Sequence, residues 1–437
     1  MEPAATLDIG VVGCGTAGAA AALFVARAGH RVTVYEAVAE PRPIGAGILL
    51  QPTGMSVLDR LGLLAPVLAR GTPVERLHCV TRGGRPILDL SYHDLHGDAF
   101  GLGIHRGVLF DALLTAVRDD TRITLRCGHA MERLERGPTG HVLVERDGSR
   151  HGPHDLVVVA DGARSQLRAH DTLTKRASQY PWGALWFIAR APDRSFDGVL
   201  YQVVDGTRQM LGMLPTGFGP EGSTPCVSLF WSIRADRVPQ WRSQGLDPWK
   251  AQLRALEPRS RPLLEQIESI DDVLFARYWD VVLRPWHADG VVYLGDAAHA
   301  TSPQLGQGAN LALMDAMILA DSLTQAPNLA AGLEAYSRTR RAQLGYYQWA
   351  TRFLTPFFQS DRRLLGIARD AFMGLACKLP LLRGKMIRTM AGLERGLLLA
   401  RSLPLPPPPP KALPASTPAS GPDANVLPAR RAAASVE

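Results

Sequence analysis

One strand–helix–strand unit near the start of the chain restricts the fold more than any other feature. Two apolar strands, LDIGVVG and RVTVYE, flank the glycine turn GCGTAG and a helix of small residues. Gly13 permits a tight turn, Gly15 lets the backbone approach a pyrophosphate, and Gly18 lets the helix pack closely on the strand. The N-terminus of the helix then offers free N–H groups and a positive dipole end to phosphates. The pattern predicts a dinucleotide site in a Rossmann-like domain of the α/β class.

Glu36 supports this prediction, because it ends the second strand 18 residues after Gly18. An acid at this position accepts hydrogen bonds from the ribose hydroxyls. It also disfavours a 2′-phosphate, since two negative charges repel each other. Thr16 and Ala17 lie in the same turn, and we include both among the expected cofactor contacts.

A second match to the glycine pattern, GFGPEG at residues 217–222, lacks this context. It contains Pro220, follows MLPT and runs into the strand-like CVSLFWSI, so no helix is expected to begin there. Without a following helix, the pattern predicts a loop between strands. The chain therefore has one credible nucleotide signature.

A later stretch, YLGDAAHATSPQLGQGAN at 293–310, combines a carboxylate with another glycine turn. Asp296 follows an apolar strand and can accept hydrogen bonds from a polyol chain. The amides around Gly306–Asn310, at the N-terminus of a helix, can stabilise negative charge. FAD needs both features beside an ADP site, because its ribityl chain is a polyol and its reduced ring gains negative charge near N1. NAD would not require the later stretch, so the sequence predicts FAD.

Four segments together resemble the flavoprotein aromatic hydroxylases, the single-component FAD monooxygenases typified by p-hydroxybenzoate and salicylate hydroxylases. They are GCGTAG to Glu36, GAGILLQPTG…LGL (45–63), DGARSQLR (161–168) and GDAAHATSPQLGQGAN (295–310). IHRGVLFDAL at 104–113 matches a fifth element of that family, and RFLTPFFQSDRRLL at 352–365 is similar to ubiquinone-pathway hydroxylases. Order and spacing agree over residues 7–350.

The resemblance implies roles for single residues at the nucleotide end of the site. The three glycines of GCGTAG would face the pyrophosphate, and Glu36 would contact the adenosine ribose. Arg106 would contact the ribityl or phosphate region. Asp161 and Gly162 form the DG motif that the family links to both FAD and NAD(P)H.

The resemblance also implies the surroundings of the flavin ring. Asp296 would hold the ribityl hydroxyls, while His299 is expected to have a structural hydrogen-bonding role. Backbone without side chains could lie against the flat ring at Gly45 and Gly47. The wall of the ring site would be formed by Pro303, Gly306, Gly308, Ala309 and Asn310.

The implied reaction is hydroxylation of an aromatic, usually phenolic, small molecule. NADH or NADPH would reduce FAD, and the reduced flavin would react with O2 to give a C4a-hydroperoxide that transfers OH to the substrate. No residue can be assigned as the catalytic base; His105 and Tyr201 are candidates. Three alternatives remain open on the same scaffold: a reductase, a halogenase and a non-catalytic flavin-binding protein. The W-x-W-x-I-P signature of the halogenases is absent.

The expected architecture is a p-hydroxybenzoate hydroxylase-like FAD domain with an inserted β-rich substrate domain and a helical C-terminus. The FAD domain would be discontinuous, with residues 1–170 and 286–350, and 74–92 would contribute to the substrate side. Residues 171–285 would form the substrate domain and 351–401 the helical region. The tail 402–437 is rich in proline and predicts disorder.

Composition restricts the partners and the compartment. The five cysteines are scattered without a CxxC pair, which favours reduced thiols in a cytoplasmic protein and predicts no metal site. No nucleic-acid-binding motif is present. The formal net charge of +7 includes a late basic cluster, which could meet an acidic membrane surface or an anionic substrate, or simply be solvated. Its members are Arg362, Arg363, Arg369, Lys378, Arg383, Lys385 and Arg388. We expect a cytoplasmic monomer or homodimer, and peripheral membrane contact through the basic C-terminal helices is left open.

Overall fold

The computed structural model describes residues 6–43, 45–170, 172–397 and 402–407. Its strands are β1 (Asp8–Val12), β2 (Arg31–Glu36), β3 (Gly47–Leu50), β4 (Thr72–Thr81), β5 (Pro86–Ser91), β6 (Gly101–His105), β7 (Ile123–Cys127), β8 (Met131–Arg136), β9 (His141–Glu145), β10 (Arg150–His154), β11 (Leu156–Val159), β12 (Thr174–Arg190), β13 (Gly198–Asp205), β14 (Gln209–Phe218), β15 (Pro225–Arg234), β16 (Leu274–Leu283), β17 (His287–Ala288) and β18 (Val291–Tyr293).

The α-helices are α1 (Thr16–Arg27), α2 (Pro52–Arg60), α3 (Leu64–Leu68), α4 (Arg106–Asp119), α5 (Val238–Gln244), α6 (Leu246–Leu256), α7 (Arg261–Leu264), α8 (Asp296–His299), α9 (Gly308–Gln325), α10 (Leu329–Phe358), α11 (Arg363–Ala376) and α12 (Pro380–Met390).

A parallel sheet carries the nucleotide-binding signature. Its strand order is β17-β18-β11-β1-β2-β7, and all neighbours pair in parallel except β17 with β18. Strands β1 and β11 are almost entirely apolar because α1 and the small sheet formed by β8, β9 and β10 both pack against this parallel sheet. The small residues Ala19–Ala22 of α1 are fully buried, which lets this helix lie close to the sheet.

A large, mostly antiparallel sheet forms the other main layer, with the order β16-β12-β15-β14-β13-β4-β6-β3 and with β5 paired to β4. It draws β3 and β6, as well as β4 and β5, from the first part of the chain. The sheet is strongly curled, so that its last strand, β3, lies over the central strand β15. The Gly47 amide of β3 donates a hydrogen bond to Ser228 Oγ of β15 at 3.0 Å. A small antiparallel sheet, β10-β9-β8, packs on the parallel sheet, where the Tyr35 hydroxyl of β2 lies 3.0 Å from His154 Nε2 of β10.

The two faces of the large sheet differ. One, the helix-covered face, packs on α5–α7 through a cluster that includes Leu229, Trp231, Trp241 and Trp249. The other, the inner face, carries Ser228, Phe230 and Trp186 on the side that β3 meets. This division follows from the alternation of side chains along β15.

The predicted loop at GFGPEG is confirmed, because residues 219–224 connect β14 to β15 without a helix. The predicted C-terminal helices are present as α10–α12. Beyond Pro407, the predicted disordered tail lies outside the described residues. Within the described chain, none of the helices combines the length and apolarity needed to cross a bilayer.

Candidate active site

The sheet order brings four predicted site residues to one edge. Gly13, Asp161 and Asp296 follow the adjacent parallel strands β1, β11 and β18, and Glu36 ends β2 on the other side of β1. Because parallel strands end at the same edge, Gly13 and Asp296, which are 283 positions apart in sequence, lie at the same end of the sheet. Ligands of open α/β sheets bind at this carboxyl edge.

The GCGTAG turn has one crowded side and one open side. Gly13 has φ +94°, and a Cβ there would come within 2.5 Å of the Ala160 carbonyl oxygen. A Cβ on Gly18 would overlap the Gly13 carbonyl oxygen. A Cβ on Gly15, by contrast, would meet no protein atom within 4 Å. Gly15 is therefore not required by packing, which fits backbone kept bare for an approaching pyrophosphate.

The Glu36 carboxylate lies directly over this turn. Its Oε2 accepts a hydrogen bond from the Cys14 amide at 2.8 Å, and Oε1 accepts one from the Val38 amide at 2.9 Å. Burial, together with the nearby Glu36 charge, raises the pKa of the Cys14 thiol to about 12. Cys14 is therefore a protonated packing residue, and the acid is held where a ribose would meet it.

The DG motif contains an unpartnered polar atom. Within the described chain, Asp161 Oδ1 is buried and has no hydrogen-bond partner, and burial raises the pKa of this carboxyl. Such an atom is costly unless a ligand satisfies it. Arg168 fixes the loop, because its guanidinium donates to the carbonyls of Ala163 at 2.6 Å and Ala297 at 2.9 Å. The loop is thereby tied to the segment that follows Asp296.

Gly295 joins the early and late motifs physically. It has φ +57°, and a Cβ there would lie 2.9 Å from Ala17 Cβ in α1 and 3.4 Å from Ala312 Cβ in α9. Asp296 follows as the first residue of α8, with an exposed side chain. Its carboxylate is near the start of α9, 3.9 Å from the position a Cβ would take on Gly308.

A buried ionic network behind Gly295 fixes this turn, and sequence reasoning missed its centre, Asp315. Asp315 Oδ2 accepts hydrogen bonds from the Gly295 amide at 2.9 Å and from His299 Nε2 at 2.5 Å. Arg340 Nε donates to Asp315 Oδ1 at 2.7 Å. Although burial acts to raise it, the charges of His299 and Arg340 hold the pKa of Asp315 below its ordinary value. The structural role expected for His299 is confirmed, and an acid inside the apolar helix NLALMDAMILA was the available signal for Asp315.

The Pro303–Asn310 loop is exposed on one side and anchored on the other. Pro303, Gly306 and Gly308 are exposed, whereas Ala309 is half-buried. Asn310 is buried, and its side chain is occupied within the protein: Oδ1 accepts from the Gln51 amide at 2.8 Å, and Nδ2 donates to the Leu49 carbonyl at 3.1 Å. The loop and β3 are thus held together, and at Asn310 only the backbone remains to face a cofactor.

Gly45 and Gly47 have different neighbours. Gly45 has φ +137°, and a Cβ there would lie 3.0 Å from Arg106 Cδ. A Cβ on Gly47 would press on Ser228 Cβ at 2.6 Å, so packing alone explains that glycine. Arg106 is the exposed first residue of α4, where a cation can reach an anionic ligand.

His105 and Tyr201, the candidates for the catalytic base, occupy structural positions. His105 caps α4, because its Nδ1 accepts a hydrogen bond from the Gly107 amide at 2.9 Å, and burial lowers its pKa. Tyr201 lies on the helix-covered face, paired with Met213, and the Arg259 guanidinium is 4.3 Å from its ring centroid. Burial raises the pKa of its phenol. Since β3 meets the opposite face, the structure does not bring Tyr201 to the site.

Sequence reasoning also missed a cluster of two histidines and a glutamate beside Glu36. His129 Nδ1 and His151 Nε2 donate to Glu145 Oε1 at 2.8 and 2.6 Å, and the His129 amide donates to the Glu36 carbonyl at 2.9 Å. The three side-chain ligand atoms lie within 4.8 Å of one another. Hydrogen bonding, first from His129, lowers the pKa of Glu145. The residues come from separate segments of the chain, so no ligand spacing is visible in sequence.

A family model described as an FAD binding domain matches residues 6–345. The chain belongs to this FAD-binding family. Aurachin C monooxygenase/isomerase of Stigmatella aurantiaca is 28% identical over 342 residues, which cover 76% of this chain and 85% of the relative. Kynurenine 3-monooxygenase of Salinispora arenicola is 30% identical over 355 residues, which cover 76% of this chain and 75% of the relative.

Solved structures share the fold. Klebsiella pneumoniae HpxO complexed with FAD and uric acid has a TM-score of 0.72 at 22% identity and covers 88% of this chain and 97% of its own. Pseudomonas aeruginosa PqsL in complex with 2-aminobenzoylacetate has a TM-score of 0.71 at 24% identity and covers 83% of this chain and 100% of its own. The expected hydroxylase-like fold is confirmed.

These matches also confirm the predicted chemistry. The relatives are FAD-dependent monooxygenases, so the protein is an FAD-dependent oxidoreductase of the monooxygenase type. NADH or NADPH is the typical co-substrate of these enzymes. The residues at the sheet edge fit FAD, because bare backbone at Gly15 and an unpartnered buried oxygen on Asp161 lie at the same edge.

Proposed function

We propose that the protein uses NADH or NADPH and O2 to hydroxylate a neutral, electron-rich aromatic small molecule, such as a phenol. The observation that carries this proposal is the composition of the inner face, which is apolar or uncharged along β13–β15 up to Arg234, the last residue of β15. The residues concerned are Leu200, Gln202, Val204, Met210, Gly212, Leu214, Thr216, Ser228, Phe230 and Ser232.

Aromatic side chains give this face its selectivity. The rings of Trp186 and Phe230 have centroids 4.9 Å apart, and both residues are only half-buried. Phe230 lies across Gly212, where a Cβ would overlap its ring. Flat aromatic surface of this kind favours an aromatic ligand and excludes water. The cation on the inner face of β13–β15, Arg234, is already paired with Asp236 and Asp361, so a carboxylated substrate would lack a free partner for its charge.

FAD would be held by the residues at the sheet edge. Bare backbone at Gly15 would face the pyrophosphate, Glu36 would accept from the adenosine ribose, and Asp296 would accept from the ribityl hydroxyls. The predicted contacts of Arg106 and of the Pro303–Asn310 loop belong to the same proposal. Bound FAD supplies the two-electron chemistry that couples NAD(P)H to O2.

The variant Asp296→Ala tests this arrangement. We expect purified protein with far less FAD and an unchanged folded state, because the side chain is exposed and takes no part in the core. The absorbance ratio of flavin to protein measures the first property and circular dichroism the second. A normal flavin content would contradict the role of Asp296.

The reaction is tested by 18O2 labelling with a panel of neutral phenols and their carboxylated counterparts. We expect one 18O atom in the product of a neutral phenol and little product from the acids. Phe230→Ala should raise KM, whereas Tyr201→Phe, on the opposite face, should leave kcat and KM unchanged. Absence of 18O from every product, with flavin bound and reducible by NADH or NADPH, would reject the proposed hydroxylation.

The proposal extends to the setting of the enzyme. We infer a monomer or homodimer in the cytoplasm, with peripheral membrane contact through the basic C-terminal helices. Reduced, buried thiols such as Cys14 and Cys79 support a reducing compartment.

A further inference from the structure

Helix α11 is amphipathic, but its apolar side faces solvent. Leu364, Ile367, Phe372 and Leu375 are 78%, 65%, 70% and 58% exposed. Their spacing places them along one side of the helix. A surface helix of a globular protein normally turns this side to the core.

The side of α11 that faces the protein carries small and polar residues together with Met373, which packs on an apolar cluster, and it fixes the helix in this orientation. Arg369 is buried and donates through Nη1 to the carbonyls of Gly206 and Phe357, both at 2.9 Å. A Cβ on Gly374 would lie 2.9 Å from the Pro86 carbonyl oxygen. The apolar side is thus held outward by buried hydrogen bonds on the other side.

The exposed apolar side chains are concentrated in one region. Of the twelve strongly exposed large apolar residues in the described chain, seven lie between 364 and 382. They form what we term the C-terminal apolar surface: Leu364, Ile367, Phe372, Leu375, Leu379, Leu381 and Leu382. Single exposed apolar residues need no explanation, but such a concentration marks an interaction site.

The segment that carries this surface is basic, although Arg352 and Arg383 have acidic partners outside it, Asp280 and Asp94. Residues 349–397 contain nine basic and three acidic residues. Each acid has a basic partner: Asp361 pairs with Arg208, Asp370 with Arg369, and Glu394 with Arg388. The side chains of Arg362, Arg363 and Lys378 are exposed at the two ends of α11. The surface therefore combines apolar side chains with a basic margin.

We propose that α11 docks the enzyme on an anionic phospholipid surface. The C-terminal apolar surface enters the boundary between headgroups and acyl chains, and Arg362, Arg363 and Lys378 contact lipid phosphates. An interfacial helix has this combination of one apolar side with Lys and Arg beside it. This proposal gives the membrane contact a defined surface, and it stands whether or not the proposed substrate class is correct.

Charge argues against two other partners for this surface, a second copy of the chain and the C-terminal residues 408–437. A second copy of the chain would bring the same basic margin against itself, and like charges repel. Residues 408–437 carry three basic residues and two acidic ones, Asp423 and Glu437, so they offer no complementary charge. An anionic bilayer supplies both apolar volume and opposite charge.

The test is co-sedimentation of the full-length, FAD-loaded protein with vesicles. We expect binding to vesicles of equal parts phosphatidylcholine and phosphatidylglycerol, and little binding to phosphatidylcholine alone. Leu364→Glu with Phe372→Glu should weaken binding about tenfold or more, because two inserted side chains are lost. Arg362→Gln with Arg363→Gln should weaken it about fivefold per side chain.

Leu274→Glu is the matched control, because Leu274 is 49% exposed at the start of β16, away from α11. It should bind the anionic vesicles as the unaltered protein does. Failure of the unaltered protein to bind, equal binding to both vesicle types, or equal loss in the control variant would overturn the proposal. A shift from dimer to monomer caused by Leu364→Glu with Phe372→Glu would also overturn it, since a second copy would then cover the surface. Flavin content and NADH oxidation are followed separately, so the outcome is independent of the reaction.

Discussion

Two loops of this protein have the same glycine pattern and opposite surroundings. In GCGTAG, Gly15 lies where no protein atom would touch its Cβ, at the N-terminus of α1. In GFGPEG, the Arg70 guanidinium donates to the carbonyl oxygens of Gly219 and Gly222. The first loop presents amides to open space, whereas the second presents carbonyls to a cation of its own chain.

The difference shows that the glycine pattern specifies a backbone and not a ligand. The first loop has an anion-binding character because a helix follows it, so that its N–H groups point the same way. The second is followed by β15, and a Cβ on Gly217 would overlap the Arg70 carbonyl oxygen. Here glycine serves the packing of the loop on residues 70–71.

The largest loss of stability is expected when the buried ionic network that supports the first loop is broken. Asp315→Asn should lower the free energy of unfolding by about 3–5 kcal/mol, because buried Arg340 then lacks its charge partner. Flavin content should fall as well, since Asp315 holds the Gly295 turn. Urea unfolding measures the first effect and absorbance the second. Asp321→Asn, in the half-exposed pair with Arg60, should cost no more than about 1 kcal/mol, and an equal loss in both would contradict this account.

Adding a methyl group to the last glycine should destabilise the first loop far more than the second. Gly18→Ala should cost about 1–3 kcal/mol, because the added Cβ overlaps the Gly13 carbonyl oxygen. Gly222→Ala should change stability by no more than about 0.5 kcal/mol, since its Cβ would come only within 4.0 Å of the Gly219 amide nitrogen. Thermal unfolding of both flavin-free variants provides the comparison. Similar costs would mean that the two loops are equally crowded.

A larger side chain in the middle of each loop tests ligand access. Gly15→Val should weaken FAD binding about tenfold or more, because the side chain fills space that the pyrophosphate needs, while the flavin-free protein keeps its stability. Gly219→Val also meets no atom within 4 Å and should leave FAD affinity unchanged. Quenching of flavin fluorescence gives both dissociation constants. Unaltered affinity in Gly15→Val would remove the proposed pyrophosphate contact.

The smallest effect is in the pH dependence. Because the folded-state pKa of Asp315 is lower than its ordinary value of 3.8, the folded protein binds fewer protons than the unfolded chain below that pH. The stabilisation from this carboxylate is therefore present above about pH 4 and is lost as the pH falls towards the folded-state pKa. The stability difference between the unaltered protein and Asp315→Asn should shrink in that range. If the stability difference between the two proteins stays constant as the pH is lowered through this range, the prediction is wrong.

Local patterns predicted the parts of the site that depend on the backbone. The strand, turn and helix around Gly15 and the loop at 217–222 follow from glycine placement and periodicity, and the structure contains both. The family resemblance assigned Asp161 and Asp296 to the FAD site, and the strand order of the structure places both residues at one sheet edge.

Features that depend on tertiary packing were not predictable in this way. Alternation along β13 shows that Tyr201 and Gln202 lie on opposite faces, but not which face β3 will cover. The pairing of Asp315 with Arg340 depends on how α9 and α10 meet. Likewise, the apolar periodicity of α11 predicts a helix with two unlike sides and cannot tell which side is turned outward.

The contact of Gly295 with Ala17 has a consequence for how the chain is made. Translation delivers the glycine turn of α1 first, yet the Gly295 turn that packs on it, and the Asp315–Arg340 pair that fixes this turn, lie in the last third of the sequence. Domains generally fold as they leave the ribosome, N-terminal part first. Here the edge of β11 stays unpaired until β18 has been synthesised, and the Gly295 turn is fixed only once Arg340 of α10 has followed. The sheet edge that carries the proposed cofactor contacts is thus completed late in synthesis.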